Sequence, residues 1–106
     1  MPVGLHTFKY EIELPGDMTR VICHGSLVNQ TAGQLNDVVK PLIAAGGRIV
    51  LDFKDVIFVD SMGLGVLVGL KIAVSHQTKC TLELQHLSPR VQELLRITNL
   101  LDLFKS

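Results

Sequence analysis

The chain has 106 residues, of which 47% are hydrophobic and 19% charged, and its ten basic side chains balance its ten acidic ones. This length predicts one domain over residues 1–106 with a substantial core. The neutral balance and the scattered lysines and arginines argue against nucleic-acid binding. No apolar stretch approaches the roughly 20 residues that a bilayer-spanning helix needs, and the first residues lack the apolar region of a signal peptide. We therefore expect a cytoplasmic protein without direct membrane insertion.

Two strands are predicted at the start of the chain. Residues 6–14 alternate between apolar and polar side chains, which predicts a half-buried strand with Phe8, Tyr10, Ile12 and Leu14 on its inner face. The turn signal in residues 15–17 leads into a second strand over residues 18–24, so the two should form an antiparallel hairpin. Any exposure of Phe8, Tyr10 or the C-terminal leucines would support a homodimer.

A helix and a buried strand are predicted next. Thr31 is typical of a helix N-cap, and the glycines at positions 46 and 47 should end that helix. Pro41 should kink or split it near Lys40. The apolar run in residues 48–53 predicts a strand buried on both faces, with residues 57–59 as a short connector. The inner face of the helix is predicted to contain Leu35, Val38, Val39 and Leu42.

The second half repeats the alternation of helix and strand. A helix should run from Ser61 to about His76, followed by a strand over residues 80–86. Ser88 and Pro89 are typical of the start of a third helix, after which residues 99–104 should dock on the core. The order β-β-α-β-α-β-α predicts an α/β fold with a mixed sheet and helices mainly on one face. The inner face of the third helix is predicted to contain Val91, Leu94, Leu95 and Thr98.

The segment FVDSMGLGVLVGL, residues 58–70, is the most unusual in the chain. Ser61 falls where the helix should begin, and the unpaired N–H groups and dipole of a helix start favour a phosphate there. The plainer alternative is that Ser61 is simply the N-cap, a contribution of roughly 1 kcal/mol. Close packing on the sheet explains Gly69 well, but explains Gly63 less well because it belongs to the first turn.

The helix in this segment is apolar nearly all round, although one side of a small sheet can bury only part of it. Some of its residues should stay exposed and form a protein-binding patch. A phosphate in such a patch would oppose docking, because its charge would have to be desolvated without a partner cation. The candidates for exposure are Met62, Leu64, Val66 and Val68.

The sequence DSMGLG in this context resembles the signature of STAS domains, the family of anti-sigma-factor antagonists. The resemblance also covers residues 25–35, 48–70 and 87–104. It implies a single STAS-like domain that binds an anti-sigma factor with serine kinase activity. It further implies that Ser61 is the phosphoacceptor, that phosphorylation breaks the complex and that a serine phosphatase restores it. The implied partner-binding residues are Asp60, Met62, Gly63, Leu64, Gly65 and Val66.

One stretch departs from the family pattern. The family commonly carries an acidic residue after the second strand, whereas residues 25–29 here read GSLVN without a carboxylate. The resemblance therefore also leaves open a phosphorylation-independent STAS scaffold, or an accessory subunit of a lipid or anion transport complex.

Enzymatic and cofactor-binding alternatives are less well supported. The pattern GLGVLVG in residues 63–69 loosely matches a dinucleotide fingerprint, but Glu83, at the right distance for its acidic partner, falls inside a strand. Ser61 is not in a GxSxG elbow, and the histidines show no metal-binding spacing. We expect no enzyme activity, cofactor or metal, and we expect Cys23 and Cys80 to be buried thiols rather than a disulfide.

Overall fold

A computed structural model describes residues 7–77 and 79–104 of the chain. The strands are β1 (Phe8–Glu13), β2 (Met18–Leu27), β3 (Gly47–Val59) and β4 (Cys80–Gln85). The helices are α1 (Ala32–Ala45), α2 (Ser61–Ser75), α3 (Pro89–Ile97) and a final 3₁₀ turn (Leu101–Phe104). This order confirms the predicted α/β succession.

The four strands form one mixed sheet in the order β1-β2-β3-β4. β1 and β2 are antiparallel, with Tyr10 opposite Cys23, and the chain turns between them at Gly16, whose φ is 71°. β2, β3 and β4 are parallel, so α1 and α2 are the crossover connections between them. The predicted hairpin is therefore confirmed. Both crossover helices begin at the carboxyl ends of the parallel strands.

β3 is longer than predicted. Residues 57–59 continue the strand instead of forming a connector, because Phe58 and Val59 pair with Ser26 and Leu27 at the end of β2. β2 in turn extends to Leu27, past two register irregularities, one of which adjoins Gly25 with its φ of 103°. These two strand ends place the start of α2 beside the loop that precedes α1.

One core joins the three helices to the sheet. Leu35 of α1, Leu67 of α2 and Leu95 of α3 are fully buried in the same cluster as Phe53 of β3. The side chain of Val50 lies on the opposite face of the sheet from this core. It is aligned across the strands with Arg20 of β2 and Glu83 of β4. The helices thus cover one face, as predicted, and Phe104 in the C-terminal segment is buried in their core as expected.

Helix α1 differs from its prediction in two ways. It runs without a break from Ala32 to Ala45 although Pro41 lies inside it. Pro41 is exposed, as is Asp37, so water can reach the Asp37 carbonyl that proline leaves without an intrahelical N–H donor. Thr31 occupies the N-cap position without capping. Its hydroxyl instead donates to the Ser26 carbonyl (2.6 Å) and accepts from the Val28 N–H (2.9 Å).

Two predicted inner faces are less buried than expected. In β1, Phe8 is buried but Tyr10, Ile12 and Leu14 are exposed, because the helices pack against β3 and β4 rather than over this edge strand. In α3, Val91 and Leu95 are buried, while Thr98 ends the helix at an exposed position. The Thr98 hydroxyl donates to the Leu94 carbonyl at 2.8 Å.

The two cysteines are free and buried, as expected. Burial, with a smaller contribution from the negative charge of Asp52, raises the pKa of the Cys23 thiol to about 12. Burial also raises the pKa of Cys80. Both side chains therefore act as small apolar groups in their strands.

Candidate functional site

Asp60, not Ser61, caps helix α2. Its Oδ1 accepts a hydrogen bond from the Gly63 N–H at 3.0 Å, and its Oδ2 accepts one from the Asn29 N–H, also at 3.0 Å. The Asp60 N–H donates to the Leu27 carbonyl at 3.2 Å. One carboxylate therefore both caps α2 and ties its first turn to the loop between β2 and α1.

Ser61 is the first residue of α2 and is exposed. Within the described part of the chain its hydroxyl makes no hydrogen bond, so the interpretation of Ser61 as the N-cap is wrong. Because the capping role belongs to Asp60, the Ser61 hydroxyl has no structural task at the helix start. It stands free at the positively polarised end of the helix dipole.

Gly63 lies against the end of β2. A β-carbon on Gly63 would lie 2.2 Å from the Leu27 carbonyl oxygen and 2.9 Å from a methyl group of Val59. The expectation that tight packing explains Gly69 better than Gly63 is therefore wrong: Gly63 is the buried contact. This close approach holds the first turn of α2 against the strand that precedes α1.

Gly65 and Gly69 face open space, where an added β-carbon would meet no atom within 4 Å. They line a groove of about 370 Å³ between α1 and α2, which we call the α1–α2 groove. The groove is lined by Asn36, Lys40, Ser61, Met62, Gly65, Val66 and Gly69.

The predicted partner-binding residues differ in accessibility. Met62 is 51% exposed and Gly65 is also exposed. Asp60, Leu64 and Val66 are half-buried, whereas Gly63 is buried and reaches no partner directly. The accessible part of the predicted set therefore centres on Met62 and Gly65, with Ser61 beside them.

Sequence reasoning missed the contribution of α1 to this groove. Asn36 and Lys40 are four residues apart on one face of α1 and line the groove opposite α2. Lys40 is exposed and is the one ionisable side chain among the described residues that line the groove. The helical spacing was visible in the sequence, but the pairing of this polar face with α2 depends on how the two crossover helices pack.

His24 and His86 contact acidic side chains rather than Ser61. His24 lies between Glu11 (2.7 Å) and Asp55 (2.9 Å), and His86 contacts Asp52 (3.0 Å). His76 ends α2, far along the helix from Ser61, and His6 lies outside the described residues. Among the described residues no three histidine, cysteine or acidic side chains are grouped to hold a metal ion. None of the described helices is long and apolar enough to cross a membrane.

These features define a small α/β fold with its candidate site at the first turn of α2, the helix that follows the inner strand β3. The family model described as the STAS domain matches residues 9–106. The chain therefore belongs to the STAS domain family.

The chain is also similar to individual proteins, in sequence and in fold. The chain is 37% identical over 79 residues to the anti-sigma-B factor antagonist of Bacillus subtilis, covering 74% of this chain and 72% of that protein. An anti-sigma factor antagonist from Mycobacterium paratuberculosis shares its fold with a TM-score of 0.85 at 19% identity, over 95% of this chain and 86% of the other. The Bacillus cell fate determinant SpoIIAA in its phosphorylated form gives a TM-score of 0.67 at 19% identity, over 87% of this chain and 85% of the other.

Proposed function

We propose that this protein is an anti-sigma-factor antagonist that binds an anti-sigma factor with serine kinase activity, and that phosphorylation of Ser61 ends the binding. The observation that carries the proposal is that exposed Ser61 lines the α1–α2 groove and that its hydroxyl has no hydrogen-bond partner among the described residues. The 37% identity to the anti-sigma-B factor antagonist of Bacillus subtilis supports the same partner class.

A phosphate on Ser61 is compatible with the folded chain. It adds about 1.5 to 2 negative charges at neutral pH and lies at the start of α2, where the helix dipole favours an anion. Lys40, across the groove, adds a positive charge on the same surface. Because the hydroxyl has no hydrogen-bond partner among residues 7–77 and 79–104, its modification breaks no hydrogen bond that the structure describes.

The same phosphate opposes a docked partner. Met62 and Val66 supply the apolar contact area next to Ser61, and a protein that covers them must remove water from the phosphate. Lys40 lies on the same surface, but burying a phosphate costs several kcal/mol of desolvation even beside one cation, and this cost opposes the gain from the apolar contacts. Phosphorylation therefore weakens docking without unfolding the domain.

The remaining parts of the proposal follow from this partner. The chain acts as one domain over residues 1–106, in the cytoplasm where sigma factors meet RNA polymerase, and it is a binding protein rather than an enzyme. A serine phosphatase resets it. Asp60 acts as a positioning residue, because its two hydrogen bonds fix the turn that presents Ser61.

A phosphorylation-independent role is the second candidate. The absence of a carboxylate in residues 25–29 favours it, since members of the family commonly have one there. In that case the chain itself would be a STAS scaffold or an accessory subunit of a lipid or anion transport complex. It would dock its partner through the same groove, and Ser61 would remain unmodified.

Intact-mass spectrometry separates the two candidates. The full chain is incubated with ATP, magnesium and each kinase-type anti-sigma factor of the source genome. The variants Ser61→Ala and Ser75→Ala are treated alongside, because Ser75 is an exposed serine at the far end of the same helix. We expect a single phosphate on the wild type and on Ser75→Ala, and none on Ser61→Ala. A chain that binds a partner but is phosphorylated by none of these kinases would favour the second candidate.

A further inference from the structure

The outer edge of the sheet carries apolar side chains that nothing in the described structure covers. Within residues 7–77 and 79–104, β1 pairs with β2 alone. Tyr10 and Ile12 lie on its helix side and are 45% and 47% exposed. An edge strand with unpaired backbone groups and exposed apolar side chains is a template for another strand.

The free edge of β1 is symmetric about Tyr10. The Ser26 N–H donates to the Thr7 carbonyl at 2.8 Å, so the odd-numbered residues of β1 direct their backbone groups toward β2. In an antiparallel ladder the direction alternates along the strand. The backbone groups of Phe8, Tyr10 and Ile12 therefore point outward, with Tyr10 at the centre of the three.

We propose that β1 pairs with β1 of a second copy of this chain, antiparallel, about a two-fold axis through Tyr10. Tyr10 then lies opposite Tyr10 of the other copy, and Phe8 lies opposite its Ile12. Directly opposed residues of an antiparallel pair point to the same face. The exposed apolar side chains of the two copies thus meet on the helix side, and one sheet continues through both copies.

The charges on the other face of β1 select this register. About the Tyr10 axis, Lys9 of each copy lies opposite Glu11 of the other, which gives two attractive cross-strand pairs. An axis through Lys9 would oppose two lysines, and an axis through Glu11 would oppose two glutamates, which is unfavourable in both cases. Because β1 is complementary in charge to a second copy of itself, we expect the strand that pairs with it to be another β1 rather than an unrelated strand.

The proposed dimer interface is small, because each copy contributes one strand of six residues. Interfaces of this kind lie at the low end of the size range for specific association. The expected dimer therefore forms and dissociates with protein concentration. It does not involve Ser61, so it stands independently of the proposed function.

Sedimentation velocity of the full chain, across a concentration range that reaches high micromolar, tests the proposal. The variants are Lys9→Glu, in which all four facing charges become negative, and Glu11→Lys, in which all become positive. We expect the wild type to dimerise and each variant alone to stay monomeric. An equal mixture of the two should form a mixed dimer, because every facing pair is then attractive.

The mixture also serves as the folding control, since only folded edge strands can restore pairing. A wild type that stays monomeric throughout the range would overturn the proposal. A dimer that persists in both single variants would overturn it as well, by assigning the association to another surface.

Discussion

Gly63 and the carbonyl of Leu27 are in closer contact than any larger residue at position 63 would allow. A β-carbon at Gly63 would lie 2.2 Å from the Leu27 oxygen, well inside van der Waals contact. The first turn of α2 is therefore fixed against the end of β2, and the Asp60 hydrogen bond to Asn29 reinforces the same junction. Ser61 is therefore presented by a helix turn that packs against the sheet rather than by a loop.

Gly63→Ala should destabilise the protein by about 3 kcal/mol, because α2 must shift away from β2 to accommodate the methyl group. Helix propensity alone predicts the opposite sign, a gain of about 1 kcal/mol. Urea unfolding measures the difference. Gly65→Ala and Gly69→Ala are the matched controls, since their β-carbons would face open space. They should be neutral or stabilising, and equal losses in all three variants would contradict the contact.

Asp60→Ala should lower the free energy of unfolding by about 2 kcal/mol, because both the Gly63 cap and the link to Asn29 are lost. Ser61→Ala should change it by no more than about 0.5 kcal/mol, because Ser61 is exposed and its hydroxyl has no hydrogen-bond partner in the described part of the chain. Thermal or urea unfolding of both variants checks this difference. If Ser61→Ala lowers the free energy of unfolding more than Asp60→Ala does, then Ser61 rather than Asp60 caps the helix.

Glu83 links the pH dependence of stability to the β3–β4 pair. Its hydrogen bond with Arg48, whose Nε lies 2.5 Å from Oε2, lowers the pKa of Glu83 below the ordinary value of 4.5. A carboxylate with a lowered pKa in the folded state stabilises at pH values above 4.5, and this stability is lost as the pH falls through the lowered value.

Glu83→Gln should therefore be less stable than the wild type near neutral pH, by a small amount because Arg48 is exposed. The difference should vanish in acid, where Glu83 is protonated in both states. Urea unfolding of the two proteins across acidic and neutral pH measures it. A difference of constant size at every pH would assign the effect to side-chain packing instead of charge.

The order of strands and helices could be predicted from the sequence because periodicity and turn residues report on local structure. The end of β3 could not, since the pairing of Phe58 and Val59 with β2 depends on how far a distant strand extends. The absence of a break at Pro41 could not be predicted either. Its effect depends on whether the neighbouring carbonyl reaches water, which only the packed helix decides.

Part of the candidate site could also be predicted from the sequence, and part could not. A serine at the start of a glycine-containing helix after a short apolar strand could be located from the sequence alone. Which glycine is buried could not, because Gly63 and Gly69 differ only in what lies opposite them in the fold. The groove wall formed by Asn36 and Lys40 likewise depends on the packing of α1 beside α2.

The most direct test of the account compares two variants of nearly equal size, Ser61→Glu and Ser61→Gln, in binding to the kinase-type anti-sigma factor of the same genome. Isothermal titration calorimetry gives each Kd, and circular dichroism confirms that both variants are folded. The account predicts that Ser61→Glu binds more weakly than Ser61→Gln by at least about tenfold, or about 1.4 kcal/mol, because the two differ mainly in charge. Equal affinities for the two variants would contradict a charge-operated switch at Ser61.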